Sequence, residues 1–221
     1  MSIGENISKI TSQLPEGVRL VAVSKYHPVE KLQEAYDAGQ RLFGENHAQE
    51  LVQKHPQLPP DIEWHMIGHL QTNKVRMIMP VVKLIESIDS VKLLKTVEKE
   101  AARIDRSVDV LLQLHVAQEE TKSGFTIDEL LDAASQGLLQ GYAHVRIVGL
   151  MAMATNTPDV KQVAHEFGLV HRTFEQMKKE YFDYPEFKEL SMGMSHDWKI
   201  AVDQGSTMVR IGTDIFGPRE Y

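Results

Sequence analysis

Two turns of small, polar residues in the C-terminal part of the sequence have the composition of an anion site. The first, Gly193-Met194-Ser195, follows the apolar run Leu190–Met192, and the second, Gly212-Thr213, follows Met208–Ile211. Backbone N–H groups in such turns point beyond the strand end, and a helix N-terminus adds partial positive charge. Ordinary strand-to-helix turns also use glycine, serine and threonine. Two of them in succession, with Arg210 beside the second, favour a phosphate site.

The first of these turns is predicted to open a helix. Ser195 suits the N-cap position, and Asp197 suits the first turn. Trp198 and Ala201 belong to a buried stripe, and Gly205 suits the left-handed residue that ends a helix. The expected helix therefore directs its N-terminus towards the space beyond the strand.

A lysine directly after a β-branched run is the second candidate for chemistry. Val18–Ser24 is predicted as a buried strand, and Lys25 follows it at once. A lysine held near low-dielectric surroundings loses its proton more readily than a surface lysine, and a neutral amine can form a Schiff base with a carbonyl compound. A strand-end lysine that simply reaches solvent is the more common case. Whether Lys25 is reactive or simply solvent-exposed depends on its distance from the two turns, which is set by the fold.

The elements that must bring these residues together alternate along the chain. After an N-terminal helix with a stripe of isoleucines, strands are predicted at 18–24, 41–44, 62–67, 82–88, 108–114, 145–150, 190–192 and 208–211. Helices are predicted between them, at 28–38, from Glu45-Asn46 to about 55, and at 73–79, 91–104, 127–136 and 158–179. Eight strands separated by helices predict a single (β/α)8 TIM barrel over residues 1–221. A doubly wound open sheet is the alternative, but no G-x-G-x-x-G follows an early strand.

In a barrel of this type the chemistry lies at the carboxyl ends of the strands, and phosphate sites often follow strands seven and eight. The two turns fall at these positions, and Lys25 ends the first strand. The other strand-end residues are Asn46, Ile67-Gly68-His69, Ser87-Ile88-Asp89, His115 and Met151. The residues alone leave two sites open: a pyridoxal phosphate site, or a Schiff-base aldolase acting on a sugar phosphate.

Composition excludes several classes of function. The formal net charge of −7 argues against non-specific nucleic-acid binding. The chain contains no cysteine, and its ten histidines include no HExxH, so neither a thiolate nucleophile nor a metal site is expected. Its N-terminal segment is not a signal peptide, and no apolar run reaches membrane-spanning length. A cytoplasmic protein without membrane or nucleic-acid partners is expected.

Several motifs, in order along nearly the whole chain, resemble the pyridoxal phosphate homeostasis proteins, the PROSC, YggS and PipY family. Their fold is similar to the N-terminal barrel domain of alanine racemase. The motifs are VAVSK at 21–25, FGEN at 43–46, HMIGHLQTNK at 65–74, EETKSG at 119–124, GLM at 149–151 and the segment 191–217. The last of them is the most specific.

The resemblance implies a role for each matching residue. It implies pyridoxal 5′-phosphate (PLP) held as an internal aldimine on Lys25. The phosphate is expected at Ser195, Gly212 and Thr213, with Met194 in the first turn, and Arg210 is expected to face the pyridine nitrogen. Asn46, His65, Ile67 and Gly68 match positions around the ring and the mouth of the pocket. The chain departs from the family at His115, where asparagine is usual.

The resemblance also implies a function without catalysis. Alanine racemases carry a second, β-rich domain that supplies an acid/base group, whereas this chain extends only a few residues past the phosphate motif, so no such domain is expected. The implied function is intracellular PLP balance, with effects on amino-acid and keto-acid metabolism. PLP-dependent apoenzymes are the expected recipients, and a monomer is expected. A slow racemase or transaminase, and a PLP-sensing adaptor for a protein partner, are the alternatives.

Overall fold

Eight parallel strands close into a barrel in the computed structural model, which describes residues 2–119 and 123–218. The strands are β1 (Arg19–Val23), β2 (Leu42–Glu45), β3 (Glu63–Met66), β4 (Leu84–Ile88), β5 (Val108–His115), β6 (Val145–Met153), β7 (Glu189–Ser191) and β8 (Met208–Ile211). They follow one another around the barrel in chain order, and β8 pairs with β1 over four residues of each strand, from Arg19↔Met208 to Ala22↔Ile211. The predicted barrel is confirmed.

Helices cover the outside of the barrel and include the predicted helix before β1. They are α1 (Ile3–Thr11), α2 (Val29–Asp37), α3 (Ala48–Lys54), α4 (Val75–Ile78), α5 (Val91–Arg103), α6 (Ile127–Ser135), α7 (Val160–Glu180), α8 (Trp198–Asp203) and α9 (Thr213–Phe216). Short 3₁₀ turns, His55–Gln57 and Thr72–Lys74, lie beside α3 and α4. Ser2 begins α1 with a capping box to Glu5, which satisfies two otherwise unpaired N–H groups.

Helices α3 and α8 begin later than the sequence suggested. The helix expected from Glu45-Asn46 begins at Ala48, because the sheet continues through Glu45, whose carbonyl accepts from the Ile67 N–H at 3.0 Å. The helix expected at Ser195 begins at Trp198. Gly205 does adopt the expected left-handed conformation after this helix, with φ +88°.

Strand β6 is longer than predicted. β6 continues to Met153 instead of ending near residue 150. Met151 was expected at a strand end, but its side chain is fully buried inside the barrel. Met153, two residues further on, reaches the end of the strand. The apolar and small residues at 150–154 gave no sequence signal for the position of this end.

The barrel interior is filled in layers. An apolar layer consists of Val21, Leu84, Leu111, Val148, Met151 and Met208, separate from the larger core between strands and helices. Two residues further along β4 and β8 lie Glu86 and Arg210, which are buried with His65 and Ser191. Because side chains two residues apart share one face of a strand, these four form a polar layer nearer the carboxyl ends.

No described helix combines the length and the apolar composition needed to cross a lipid bilayer. The middle of the motif at 119–124, Glu120 to Lys122, lies outside the described residues.

Candidate functional site

A cavity of about 440 Å³ opens at the carboxyl ends of the strands. Nine of the ten residues predicted for the site line it: Lys25, Asn46, Ile67, Gly68, Met194, Ser195, Arg210, Gly212 and Thr213. The other lining residues are Val23, His27, His69, Gln113, Ser123, Met153, His196 and Gly217. The fold therefore brings the lysine, the arginine and both turns to one space.

The turn after β7 is closed by an aspartate rather than by Ser195. Asp197 Oδ1 accepts from the Met194 N–H at 2.5 Å, and the Met194 carbonyl accepts from the N–H groups of Asp197 and Trp198. This corrects the expected N-cap at Ser195. Asp197 holds the N-cap position of α8 but makes no side-chain cap hydrogen bond to it, and Ser195 lines the cavity.

Gly193 allows this turn to pack closely against α8. Its φ is +94°, and a Cβ there would lie 2.7 Å from Ala201 Cβ and 2.8 Å from Trp198 Cα. Its carbonyl accepts from the Arg210 N–H at 2.9 Å, which joins the turn after β7 to β8. The two predicted turns are therefore held together by the backbone itself.

The two turns present unpaired backbone donors. The N–H groups of Ser195, His196, Gly212 and Thr213 donate no hydrogen bond to another described residue. Gly212 lies against β1, where an added Cβ would be 3.0 Å from the Val23 carbonyl oxygen. Four such donors around one space suit an anion with several acceptor oxygens.

Arg210 extends from β8 into the barrel and is fixed by the polar layer. Its Nη1 donates to Ser191 Oγ at 2.6 Å, and its Nη2 donates to the Ala152 carbonyl at 2.9 Å. Glu86 Oε2 lies 3.7 Å from Nη1 and accepts from the Ser191 hydroxyl at 2.6 Å. Only 3% of Arg210 is exposed, so its position is determined by these contacts.

The charges in this layer support one another. Burial lowers the pKa of Arg210, and the carboxylates of Glu86 and Asp197 oppose that effect. Burial alone would raise the pKa of Glu86, but the hydrogen bond and charge of His65, the charge of Arg210 and the Ser191 hydroxyl together bring it below its usual value. The layer thus keeps a carboxylate next to a guanidinium, which acts only as a hydrogen-bond donor.

His65 differs from the other predicted site residues. It was expected near the mouth of the pocket, but its side chain points into the barrel, where Nδ1 lies 2.7 Å from Glu86 Oε1. Strand alternation explains the correction: His65 lies within β3, whereas Ile67, on the same face, is the residue that reaches the cavity. His65 is therefore linked to Arg210 through Glu86.

Lys25 lies half-buried in the segment after β1. Tyr26, which follows it, has φ +66°, a conformation that residues other than glycine rarely adopt. His27 turns back, since its N–H donates to the Ser24 carbonyl at 3.1 Å, and its ring lies 5.0 Å from that of Phe216 in α9. The segment that carries the lysine is thus a tight turn in contact with the last described helix.

Close backbone contacts shape the wall of the cavity that is formed by the segments after β2 and β3. A Cβ on Gly68 would lie 2.3 Å from the Asn46 carbonyl oxygen and 2.7 Å from its Cα. The chain after β3 can therefore touch the chain after β2 only because residue 68 is glycine. This contact places Asn46 and Ile67 side by side in the wall.

The mouth of the cavity carries a polar contact that the sequence did not indicate. His69 Nδ1 lies 2.9 Å from Asp89 Oδ2 and 3.3 Å from Ser123 Oγ. Both His69 and Asp89 were recognised as strand-end residues, but nothing in the sequence showed that they pair. His115 ends β5, and its Nε2 lies 3.0 Å from the Glu119 carbonyl oxygen; it does not line the cavity.

Comparison with known proteins agrees with this geometry. Residues 1–220 match the family described as alanine racemase, N-terminal domain. Relatives named pyridoxal phosphate homeostasis protein include one from Pasteurella multocida, 38% identical, and one from Vibrio alginolyticus, 40% identical; each match covers 100% of this chain and 99% of the relative. The structure of PipY from Synechococcus elongatus PCC7942 with PLP bound is 35% identical, with a TM-score of 0.89 over 98% of this chain and 100% of that one. The chain therefore belongs to the alanine racemase N-terminal domain family and, within it, to the pyridoxal phosphate homeostasis proteins.

Proposed function

We propose that this protein binds PLP in the cavity at the carboxyl ends of its strands and acts in intracellular PLP balance without turning over amino acids. The observation that carries the proposal is the placement of Lys25, Arg210 and the two donor turns around one space of about 440 Å³. Relatives that match the whole chain are named for PLP homeostasis, and PipY has been solved with PLP bound.

The residues of this chain fit PLP at both of its ends. The unpaired N–H groups of the two turns match a phosphate, which offers several acceptor oxygens to nearby donors. Lys25 provides the amine that joins the aldehyde carbon as an imine, with loss of one water. Asn46 and Ile67 form a wall beside the ring. Residues 1–221 are proposed to make up one PLP-binding domain.

Arg210 supports a role in binding rather than in catalysis. PLP enzymes use the ring as an electron sink, and the group opposite the ring nitrogen tunes this property. A guanidinium only donates hydrogen bonds, so it leaves the nitrogen opposite it without a proton. Glu86 and Ser191 fix the guanidinium in place, and burial leaves it no room to turn away. Such a site is suited to hold PLP and to release it to PLP-dependent apoenzymes.

Replacing Lys25 tests the proposal. Purified wild-type protein incubated with PLP and reduced with borohydride is expected to carry one pyridoxyl group, located by mass spectrometry on the peptide that contains Lys25. Lys25→Ala should fold normally and lose both this label and the visible absorption of the imine. Replacing Lys74, which lies outside the cavity lining, should leave the label in place. A label on another lysine in the wild type would refute the assignment.

A further inference from the structure

A buried cluster of charged side chains lies next to the segment that carries Lys25. Lys54, the last residue of α3, is 6% exposed, although its side chain is an ammonium. Its Nζ donates to three oxygens: Ser24 O at 2.8 Å, Glu45 Oε1 at 2.8 Å and Glu50 Oε1 at 2.6 Å. All three protons of the ammonium are therefore used, and two of the three acceptors are carboxylates.

The cluster holds the peptide groups on both sides of Lys25. The carbonyl before it, that of Ser24, accepts from Lys54 Nζ. The N–H after it, that of Tyr26, donates to Glu50 Oε1 at 2.6 Å. Because these two peptide planes meet at the Lys25 Cα, fixing them fixes the direction in which its side chain leaves the backbone. Glu50 Oε1 and Lys54 Nζ are themselves hydrogen-bonded, so both restraints belong to one unit.

The backbone here needs such a restraint. Strand β1 ends at Val23, and the Ser24 N–H adds one further bond across the sheet, to the Gly44 carbonyl at 3.0 Å. Tyr26 has a φ of +66°, which costs energy in any residue with a Cβ and persists only where surrounding contacts maintain it. The bond from its N–H to Glu50 is one such contact.

The burial of this charged cluster costs free energy. Burying the Lys54 ammonium and Glu45, with Glu50 partly buried beside them, forfeits hydration, and apolar side chains of similar volume often stabilise a fold equally well. An ionic cluster does, however, impose directions that apolar contacts do not. Its polar atoms are directed at the two peptide groups that set the orientation of the attachment lysine.

We propose that Glu50 and Lys54 are positioning residues for Lys25, holding its amine in the orientation that covalent attachment of PLP requires. The inference rests on the proposed role of Lys25 as the attachment residue. Neither positioning residue lines the cavity, so their effect is transmitted through the backbone of residues 24–26. Orientation of reacting groups is a large part of reactivity, so a lysine that turns freely should attach more weakly.

The first arm of the test uses the protein without cofactor. Amide hydrogen exchange at Tyr26 is measured by NMR in wild type, Glu50→Ala, Glu50→Gln and the control Gln53→Ala. Gln53 is exposed on the same helix. Exchange at Tyr26 is expected to accelerate at least tenfold in Glu50→Ala, since its acceptor is gone. Glu50→Gln keeps an acceptor oxygen and should restore slow exchange, and Gln53→Ala should behave as wild type.

The second arm compares two ligands that share ring and phosphate. PLP has an aldehyde and can attach to Lys25, whereas pyridoxine 5′-phosphate has an alcohol in its place and cannot. Glu50→Ala is expected to weaken PLP binding about tenfold while changing pyridoxine 5′-phosphate binding by no more than about twofold. Glu50→Gln should recover most of the PLP affinity. The double variant Glu45→Gln/Lys54→Met, which removes the bond to the Ser24 carbonyl without stranding two carboxylates, should show the same selective loss.

The outcomes separate the inference from the proposed function. Equal weakening of both ligands would mean that Glu50 supports the site only as a structural residue, and unchanged exchange and binding would mean that it does not act on Lys25. Either result overturns the positioning role while Lys25 remains the attachment residue. Labelling of a different lysine in wild type refutes the proposed function and the positioning role together.

Discussion

Two buried glutamates, Glu86 and Glu45, are both fully excluded from solvent but have different electrostatic surroundings. Glu86 lies between His65 and Arg210, and its pKa falls below the usual value despite burial. Glu45 has Lys54 and the Ser24 hydroxyl on one oxygen, whereas Oε2 has no hydrogen-bond partner among the described residues. For Glu45 burial outweighs these partners and raises the pKa from 4.5 to about 7.

This shift predicts a pH dependence of stability. Between pH 4.5 and about 7 the folded protein keeps a proton on Glu45 that the unfolded chain releases. The free energy of unfolding should therefore fall as pH rises through this window, by up to about 3 kcal/mol from this group. Glu45→Gln removes the titration, so urea unfolding at several pH values should show a flatter dependence for this variant than for wild type.

Glu30→Gln is the matched control, since Glu30 is exposed on α2. It also deletes one carboxylate but should keep the wild-type slope. A Glu45→Gln curve that is merely displaced from the wild-type curve, with the same slope, would show that Glu45 titrates alike in the folded and unfolded chains.

The two turns proposed to hold the phosphate lead to a second prediction. Ser195→Ala or Thr213→Ala removes one hydroxyl donor while backbone N–H groups remain, and a hydrogen bond to a charged group contributes about 1.5–3 kcal/mol. Each variant should bind PLP roughly tenfold to a hundredfold more weakly in a fluorescence or absorbance titration. Pyridoxal, which lacks the phosphate, should bind each variant as it binds wild type. Unchanged PLP affinity in the double variant would place the phosphate elsewhere.

The turn between β7 and α8 also bonds to the neighbouring strand β8. Gly193 binds the backbone of β8 through its carbonyl, and Asp197 closes the turn over the Met194 N–H. The sequence predicted the existence and place of this turn correctly, because glycine and serine after an apolar run are strong turn signals. It could not show that Asp197, rather than Ser195, would occupy the N-cap position of α8, since helix boundaries depend on tertiary contacts that a local pattern does not contain.

Gly193→Ala tests how tightly this element is built. A Cβ would meet Ala201 Cβ at 2.7 Å and the Trp198 backbone at 2.8 Å, in a conformation with φ +94°. The free energy of unfolding in urea should fall by about 2–4 kcal/mol, and PLP affinity should fall with it because the donors move.

Gly137→Ala is the control for the cost of the left-handed backbone conformation without steric contacts. Gly137 also has a left-handed φ, +71°, but no atom lies within 4 Å of its added Cβ. It should cost about 1 kcal/mol and leave PLP affinity unchanged. Equal destabilisation by the two variants would mean that the contacts around Gly193 yield easily.

The starts of α3 and α8 are boundaries that the sequence did not predict correctly. Glu45 carries no local signal that distinguishes a strand end from a helix start; its place in the sheet is set by the pairing of β2 with β3. The late end of β6 has the same origin, since β5 pairs with it as far as His115↔Met153. Such boundaries depend on neighbouring strands, which a local pattern does not contain.

For the whole molecule, the order of strands and the end of the barrel that carries the site followed from alternation of apolar runs and helices. The polar layer beneath the cavity did not. Glu86 reads in sequence as a lone acid within an apolar strand, and only barrel closure shows that it faces Arg210 across the interior. The cytoplasmic location and the monomeric state remain predictions from the sequence.

The layered interior leads to a prediction about activity. The proposed placement of Arg210 opposite the ring nitrogen of PLP would leave that nitrogen unprotonated, so the α-protons of amino acids should be labilised only weakly. Holo protein incubated with alanine and other amino acids in deuterium oxide should therefore show no enzyme-like exchange at the α-carbon, as followed by NMR. Lys25→Ala with added PLP provides the background from free cofactor. Rapid exchange in wild type that disappears in Lys25→Ala would identify the protein as an enzyme.

The pairing of β8 with β1 has a consequence for the order of events during folding. Lys25 follows the first strand, whereas Arg210 and the second donor turn belong to the last, and the two strands are neighbours only after the barrel closes. A chain in which only the first seven strands have folded has the amine but only two of the four unpaired N–H donors. The proposed PLP site is therefore complete only after β8 has paired with β1, so retention of the cofactor would report that the barrel has closed.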